Sequence, residues 1–173
     1  MHAKTKMALQ KSQAPLIVGE VSTKTVIAGM PAYLDIHPVS DYEPMGRTGS
    51  AWIGSHRQCS SRQLAIIQTV YQATASDIKK HVQIAHPHIA RPIALYSTGI
   101  DMYVAYEYIE LDLYDLLPLS EIEVAVIMSQ ILDAVYHLIK NEVGFRISTI
   151  RISANGHVKI VPDWSFEATL SAT

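Results

Sequence analysis

Three histidines stand close together in "KKHVQIAHPHI", His81, His86 and His88, and grouped imidazoles are the usual beginning of a transition-metal site. Such a site needs further ligands, and no cysteine or carboxylate cluster joins these three, so no metal is expected. Cys59 is the only cysteine. It excludes an internal disulfide framework and a cysteine-rich metal centre, fits a reducing compartment, and carries no mechanism of its own. Tyr103, Tyr106, Tyr108 and Tyr114 fall on strand and helix patterns where rings pack, because alternation along a strand supplies both faces of a small sheet.

The elements that position these side chains belong to a globular chain. Its 173 residues are 49 % hydrophobic and 17 % charged, which suits one domain with a tail. A formal charge of -2 gives no basic excess to draw it to a phosphate backbone, so no nucleic acid is expected as a partner. The start "MHAKTKMALQKSQ" lacks the apolar core of a signal peptide. No uninterrupted run reaches the roughly 18 apolar residues of a membrane helix. The expectation is a soluble intracellular protein, of cytoplasm or nucleus, with no membrane partner.

Residues 1–14 read as a flexible arm, and "LIVGEV", "TVIAG" and "AYLDIHPV" read as an extra β-rich segment over 15–45. "GSAWIGSH" and "RQLAIIQTVY" form a strand pair, and "TASDIKKHVQIA" opens a helix with Thr74 or Ser76 as caps. Two strands surround a turn at Gly99. "LDLYDLL" predicts a short helix, and "LSEIEVAVIMSQILDAVYHLIKNE" a long one that begins at a capping box of Ser120 and Glu123. Apolar residues surround most of that helix, so burial on several sides is expected. "ISANGHVKIV" then predicts a hairpin with Asn155-Gly156 at its tip. The order of elements gives an α+β domain.

Over residues 46–164 this order resembles a eukaryotic protein kinase. "HPHIARPIALY" is similar to the family's link from its first helix into the next strand, "MYVAYEYIELDLYDLL" to its hinge, and the long helix and "IRISANGHVKI" follow at matching distances. The resemblance implies a protein kinase-like fold, a small N-terminal β-sheet with one helix over 46–110 and an incomplete helical C-terminal lobe over 111–173. Phosphoryl transfer in that family relies on a glycine-rich loop, a lysine paired with a glutamate, metal-holding Asp and Asn, and a catalytic Asp.

This sequence departs from that set. Gly46, Gly49 and Gly54 cluster without G-x-G-x-x-G spacing. Gln68 stands where the strand lysine belongs, and Asp77 where its glutamate partner belongs. Between the long helix and the hairpin, "KNEVGFRISTIRI" puts Gly144 and Thr149 at the Asp and Asn positions; with a three-residue deletion it instead puts Phe145-Arg146-Ile147 in place of His-Arg-Asp. After "VKI", Pro162 takes the place of the metal-binding Asp, with Asp163 one position on as a displaced ligand. The implied hinge is Tyr106 at the back of the pocket, with the Glu107 carbonyl and the Ile109 amide as adenine partners.

These departures predict a catalytically inactive, truncated kinase-like domain that acts, if it acts, by binding another protein or a second copy of itself through the helix 119–142. A residual ATP- and magnesium-binding serine/threonine kinase, or a fragment of a larger kinase gene, is the alternative.

Overall fold

The computed structural model describes residues 23–59, 63–71 and 75–163, and the side chains among these except at 75–77. The expected arm, the strand "LIVGEV", Thr74, Trp164 and Ser165 lie outside them. The fold is α+β: a mixed seven-stranded sheet, a second sheet of three strands, and two helices.

Successive side chains of the central strands of the large sheet alternate between two cores, one on each face. Strands β3 (Tyr42–Thr48), β4 (Ala51–His56), β5 (Leu64–Val70), β7 (Met102–Glu107) and β6 (Pro92–Ser97) lie side by side in that spatial order, all antiparallel. Along β5, Ala65 and Ile67 join one core with Tyr42, Tyr96, Tyr103 and Ala105. Ile66 and Val70 join the opposite core with Val104 and Tyr106. Tyr103 and Tyr106 thus pack on opposite faces of β7, as alternation requires.

The hairpin of β1 (Thr23–Ile27) and β2 (Met30–Leu34) extends the same sheet, with β2 parallel to β6. Tyr33 lies opposite Tyr96 in that register, and their rings stack with centroids 4.7 Å apart. Tyr96 is buried and donates a hydrogen bond to Asp41 Oδ2 at 2.8 Å. Burial and that carboxylate push its phenol pKa upward, so the hydroxyl stays a donor at any ordinary pH. The described part of the extra segment, residues 23–45, is therefore built into the sheet, and β3 runs through the expected boundary between 45 and 46.

Helix α1 spans Ala75–Gln83, so the backbone of Ser76 lies within its helical turns rather than ahead of them. Ile78 from this helix packs into the core shared with Ile66 and Val104. The expected short helix at "LDLYDLL" is instead the strand β8 (Leu111–Asp112) followed by a single 3-10 turn, Leu113–Leu116. Leu111 and Asp112 pair with Ile152 and Arg151, and this pairing holds the segment extended.

Helix α2 (Glu121–Lys140) has the expected capping box. Ser120 Oγ accepts from the Glu123 amide, and Glu123 Oε2 accepts from the Ser120 amide at 2.8 Å. At its other end the Val143 amide reaches the Leu138 carbonyl and the Glu142 amide reaches Ile139, with Glu142 at φ 56°. That is a Schellman ending, closed by contact between buried Leu138 and Val143.

Burial on several sides of α2 is not observed. One stripe, Ile127, Ile131, Ala134 and Leu138, is buried against the hairpin of β9 (Ile150–Ile152) and β10 (Val158–Ile160). Among the described residues the helix packs on the small sheet and on Ile84 and Ile89 of the segment after α1 along one side only, and Ile122, Leu132, Tyr136 and Ile139 stay more than half exposed. With a mean hydropathy of 1.5, α2 is long and apolar enough to cross a membrane by length and composition. The count of uninterrupted apolar residues missed this because Ser129, Gln130 and Asp133 break the run.

Gly54 is held by close approach. A Cβ there would lie 2.8 Å from Tyr42 Cβ, 2.9 Å from Trp52 Cζ3 and 3.0 Å from Ile67 Cδ1. Gly54→Ala should therefore destabilise the chain by about 1–3 kcal/mol, read as a lower urea midpoint with an unchanged m-value.

Candidate functional site

The two sheets meet at Arg151, on the short strand β9. Its backbone register faces Lys159 on one side and Asp112 on the other, so its side chain leaves the small sheet on the face opposite Ile150 and Ile152. That face packs against the large sheet, and the guanidinium is buried. Nε donates to the Ile109 carbonyl at 2.8 Å and one terminal nitrogen to the Glu110 carbonyl at 3.2 Å. The other reaches Thr48 Oγ1 at 2.6 Å and Asp112 Oδ2 at 3.1 Å. A planar fork of five N–H donors can meet all four acceptors, whereas a lysine ammonium has three donors on a single nitrogen.

Beside this group lies a cavity of about 250 Å³. The β3–β4 turn, Thr48 to Ala51, forms one wall, and Ile66 and Gln68 of β5 form another. Arg146, Ser148, Thr149, Arg151 and Val161 close the side facing the small sheet. Two guanidinium groups border the space and, among the described residues, no carboxylate does. Each guanidinium is already paired with a carboxylate, Arg146 with Asp163 and Arg151 with Asp112, and the lining offers neither a proton acceptor nor a cradle for a divalent cation.

Each residue singled out in the sequence has a definite place. Gln68 is buried at the cavity wall, and its Oε1 is a buried acceptor without a hydrogen-bond partner. A neutral amide there cannot neutralise phosphate charge. Asp77 belongs to α1, and its side chain lies outside the description. Asp163 is buried, its amide donates to the Gly144 carbonyl, and its Oδ2 forms an ion pair with Arg146 Nε. This pairing sets a cation against the carboxylate that was expected as a displaced metal ligand.

Tyr106 is buried in the core. Glu107 turns its carboxylate toward the small sheet, accepting from the Arg91 amide and from Lys159 Nζ, both at 2.9 Å. Ile109 is buried, with its carbonyl taken by Arg151. The structure therefore gathers Gln68, Arg146 and Arg151 around one cavity, with Ile109 and Asp163 bound to those arginines.

Arg151 and Arg146 were missed in the sequence, and so were Thr48 and Asp112. In "IRISA" an arginine between two isoleucines reads as the solvent face of a half-buried strand, and no local pattern reveals the second sheet that covers it.

No family model matches the chain, and no curated protein matches it.

The histidines lie elsewhere, between the α1–β6 link and α2. His86 stacks on His137 with centroids 4.8 Å apart, meets His88 edge-on, and sets Nε2 3.3 Å from Asp133 Oδ2. His88 contacts the Val158 carbonyl, and His81 is buried within α1. Among the described residues no group of three or more side chains is arranged to hold a metal ion.

Two outcomes are expected. Arg151→Met leaves the Ile109 and Glu110 carbonyls without their donors and should lower unfolding free energy by about 1–3 kcal/mol in urea titration, with Arg151→Lys recovering only part. For His86, burial is the largest influence and lowers its pKa; Asp133 opposes this, and His137 and His88 add to it. The unfolded chain then binds a proton at higher pH than the folded one, so stability present above about pH 6.5 falls as pH drops through that value. Melts across that window should show the fall, and His86→Gln should flatten it.

Proposed function

We propose that this chain is a protein kinase-like domain that has lost phosphoryl transfer and works as a protein-interaction module. The observation that carries the reading is Arg151. On the alignment that puts the hinge at residues 106–110, its guanidinium is bound to the Ile109 and Glu110 carbonyls, beside the backbone that would otherwise receive an adenine ring.

Other features agree with this reading. The adjoining cavity, about 250 Å³, is smaller than the roughly 300–1,000 Å³ usual for a bound cofactor or drug-sized ligand. Gln68 supplies no charge where the resemblance asks for lysine, and Pro162 supplies no oxygen where it asks for a metal ligand. Without these groups, positioning and charge stabilisation of a transferring phosphoryl group are both lost, and either loss alone costs orders of magnitude in rate. What remains is a folded body with an exposed apolar helix face, which is the raw material of a binding surface.

The test is a thermal melt of the purified chain with and without millimolar ATP and magnesium, beside an assay for phosphate transfer to a generic protein substrate. A nucleotide at 100 times its dissociation constant would add about 2.7 kcal/mol and raise the melting temperature by several degrees. No shift and no transfer are expected. A magnesium-dependent shift would overturn the reading in favour of a residual ATP-binding kinase.

A further inference from the structure

On the link between α1 and β6, His86, Pro87, His88 and Ile89 form a turn, with Pro87 at the position where its fixed φ suits one. Two hydrogen bonds close it. The Ile89 amide donates to the His86 carbonyl at 3.2 Å, and the His88 amide donates to His86 Nδ1, also at 3.2 Å. The backbone around the turn is tied to β10: the Ile160 amide donates to the His88 carbonyl at 3.0 Å, and the Ala90 amide to the Ile160 carbonyl at 2.8 Å. Ile84 and Ile89 of the same link belong to the core beneath α2.

These partners fix where the hydrogen of His86 sits. A backbone amide only donates, so Nδ1 is the bare acceptor. A carboxylate only accepts, so Nε2, 3.3 Å from Asp133 Oδ2, carries the hydrogen. A second proton has one place to go, Nδ1, where it sets donor against donor and breaks the bond that closes the turn. With 11 % of the side chain exposed, water can do little to replace that bond.

The groups facing the ring decide how readily the proton is taken. On α2, Asp133 favours the added charge, but its side chain is 62 % exposed and water screens it; His137 stacks on the ring at 4.8 Å. On the link itself His88 meets the ring edge-on at 5.7 Å, and its Nδ1 hydrogen is held by the Val158 carbonyl of β10 at 3.1 Å. From α1, Lys80 borders the groove beside His137 together with Lys140 and Glu142, and it is paired with Glu142 at 3.3 Å. One screened carboxylate therefore stands against burial and two further imidazoles.

We propose that the His86 turn is an acid-released catch: protonation of Nδ1 opens residues 86–89 and frees the link between α1 and β6 from α2 and β10, while the large sheet stays folded. This conformational device goes beyond the interaction-module reading and stands whether or not the chain binds nucleotide. The closed turn holds the added proton more weakly than the open one, in keeping with the lowered pKa of His86. Its stability is thus present above about pH 6.5 and is lost as pH falls below that value.

The experiment is hydrogen exchange of the full chain at about pH 7.5 and about pH 5, corrected for the intrinsic pH dependence of the amides, with the imidazole nitrogens followed by NMR over the same range. At the upper pH, His86 should report the tautomer with hydrogen on Nε2. At the lower, the amides of His88, Ile89, Ala90 and Ile160 should lose protection roughly tenfold or more while those of β5 and β7 keep theirs, with a midpoint that matches the titration of His86. His86→Asn places an amide oxygen where Nδ1 accepts and takes no proton, so it should hold protection at both pH values. Asp133→Asn removes the opposing charge and should move the midpoint down by about half a pH unit.

Protection that survives the titration of His86, a hydrogen on Nδ1 at the upper pH, or the same loss in a folded His86→Asn would each overturn the proposal. So would a loss spread evenly over the large sheet, which is acid unfolding of the whole chain. The tautomer and the matching midpoint are read on the wild type, so they decide the matter even where a variant does not fold.

Discussion

The buried guanidinium of Arg151 is the constraint from which the arrangement of the two sheets follows. Taking a charge out of water costs several kcal/mol unless its hydrogen-bonding capacity is met, and here it is met by acceptors on separate elements. The two carbonyls come from the connector after β7, the hydroxyl from the end of β3, and the carboxylate from β8. Shifting the small sheet against the large one would strand that charge. The Lys159–Glu107 pair ties the same sheets at a neighbouring point, and the Ala90 amide on the Ile160 carbonyl ties the small sheet to the link between α1 and β6.

This bridging leaves its mark on the space beside it. An arginine that spans the gap between the sheets occupies the connector carbonyls and leaves only a small polar cavity between the β3–β4 turn and the 146–149 segment. Gln68 Oε1 is an unmet acceptor at that wall, a condition found at few buried groups in any protein. Asp163 and Arg146 show the same tendency toward internal pairing: charges that could have served chemistry serve cohesion. The proposed loss of catalysis and the rigidity of the junction are then two results of one arrangement.

Helix α2 does two jobs with one periodicity. A stripe of Ile127, Ile131, Ala134 and Leu138 completes the second core, while the opposite face keeps large apolar groups in water. Solvent exposure of single apolar side chains is ordinary, but a contiguous row along one helix is a liability unless something covers it. An interface reading makes that row functional.

The sequence by itself determined the α+β class, the β4–β5 pair, the strands around Gly99, the hairpin at Asn155-Gly156 and the capping box of α2, because each depends on neighbours a few residues apart. It also determined that Gln68 and Pro162 bring no charge to their places, since residue identity alone settles that. Tertiary structure decided the rest. It added β2 to β6 in parallel, made an extended strand of Leu111–Asp112 and, among the described residues, covered one stripe of α2. It also buried Arg151 in a position that reads locally as solvent-facing. Each of these outcomes depends on which surface packs against which, across separations of tens of residues, and alternation within a strand or a helix turn records only that a face is apolar, never what lies against it.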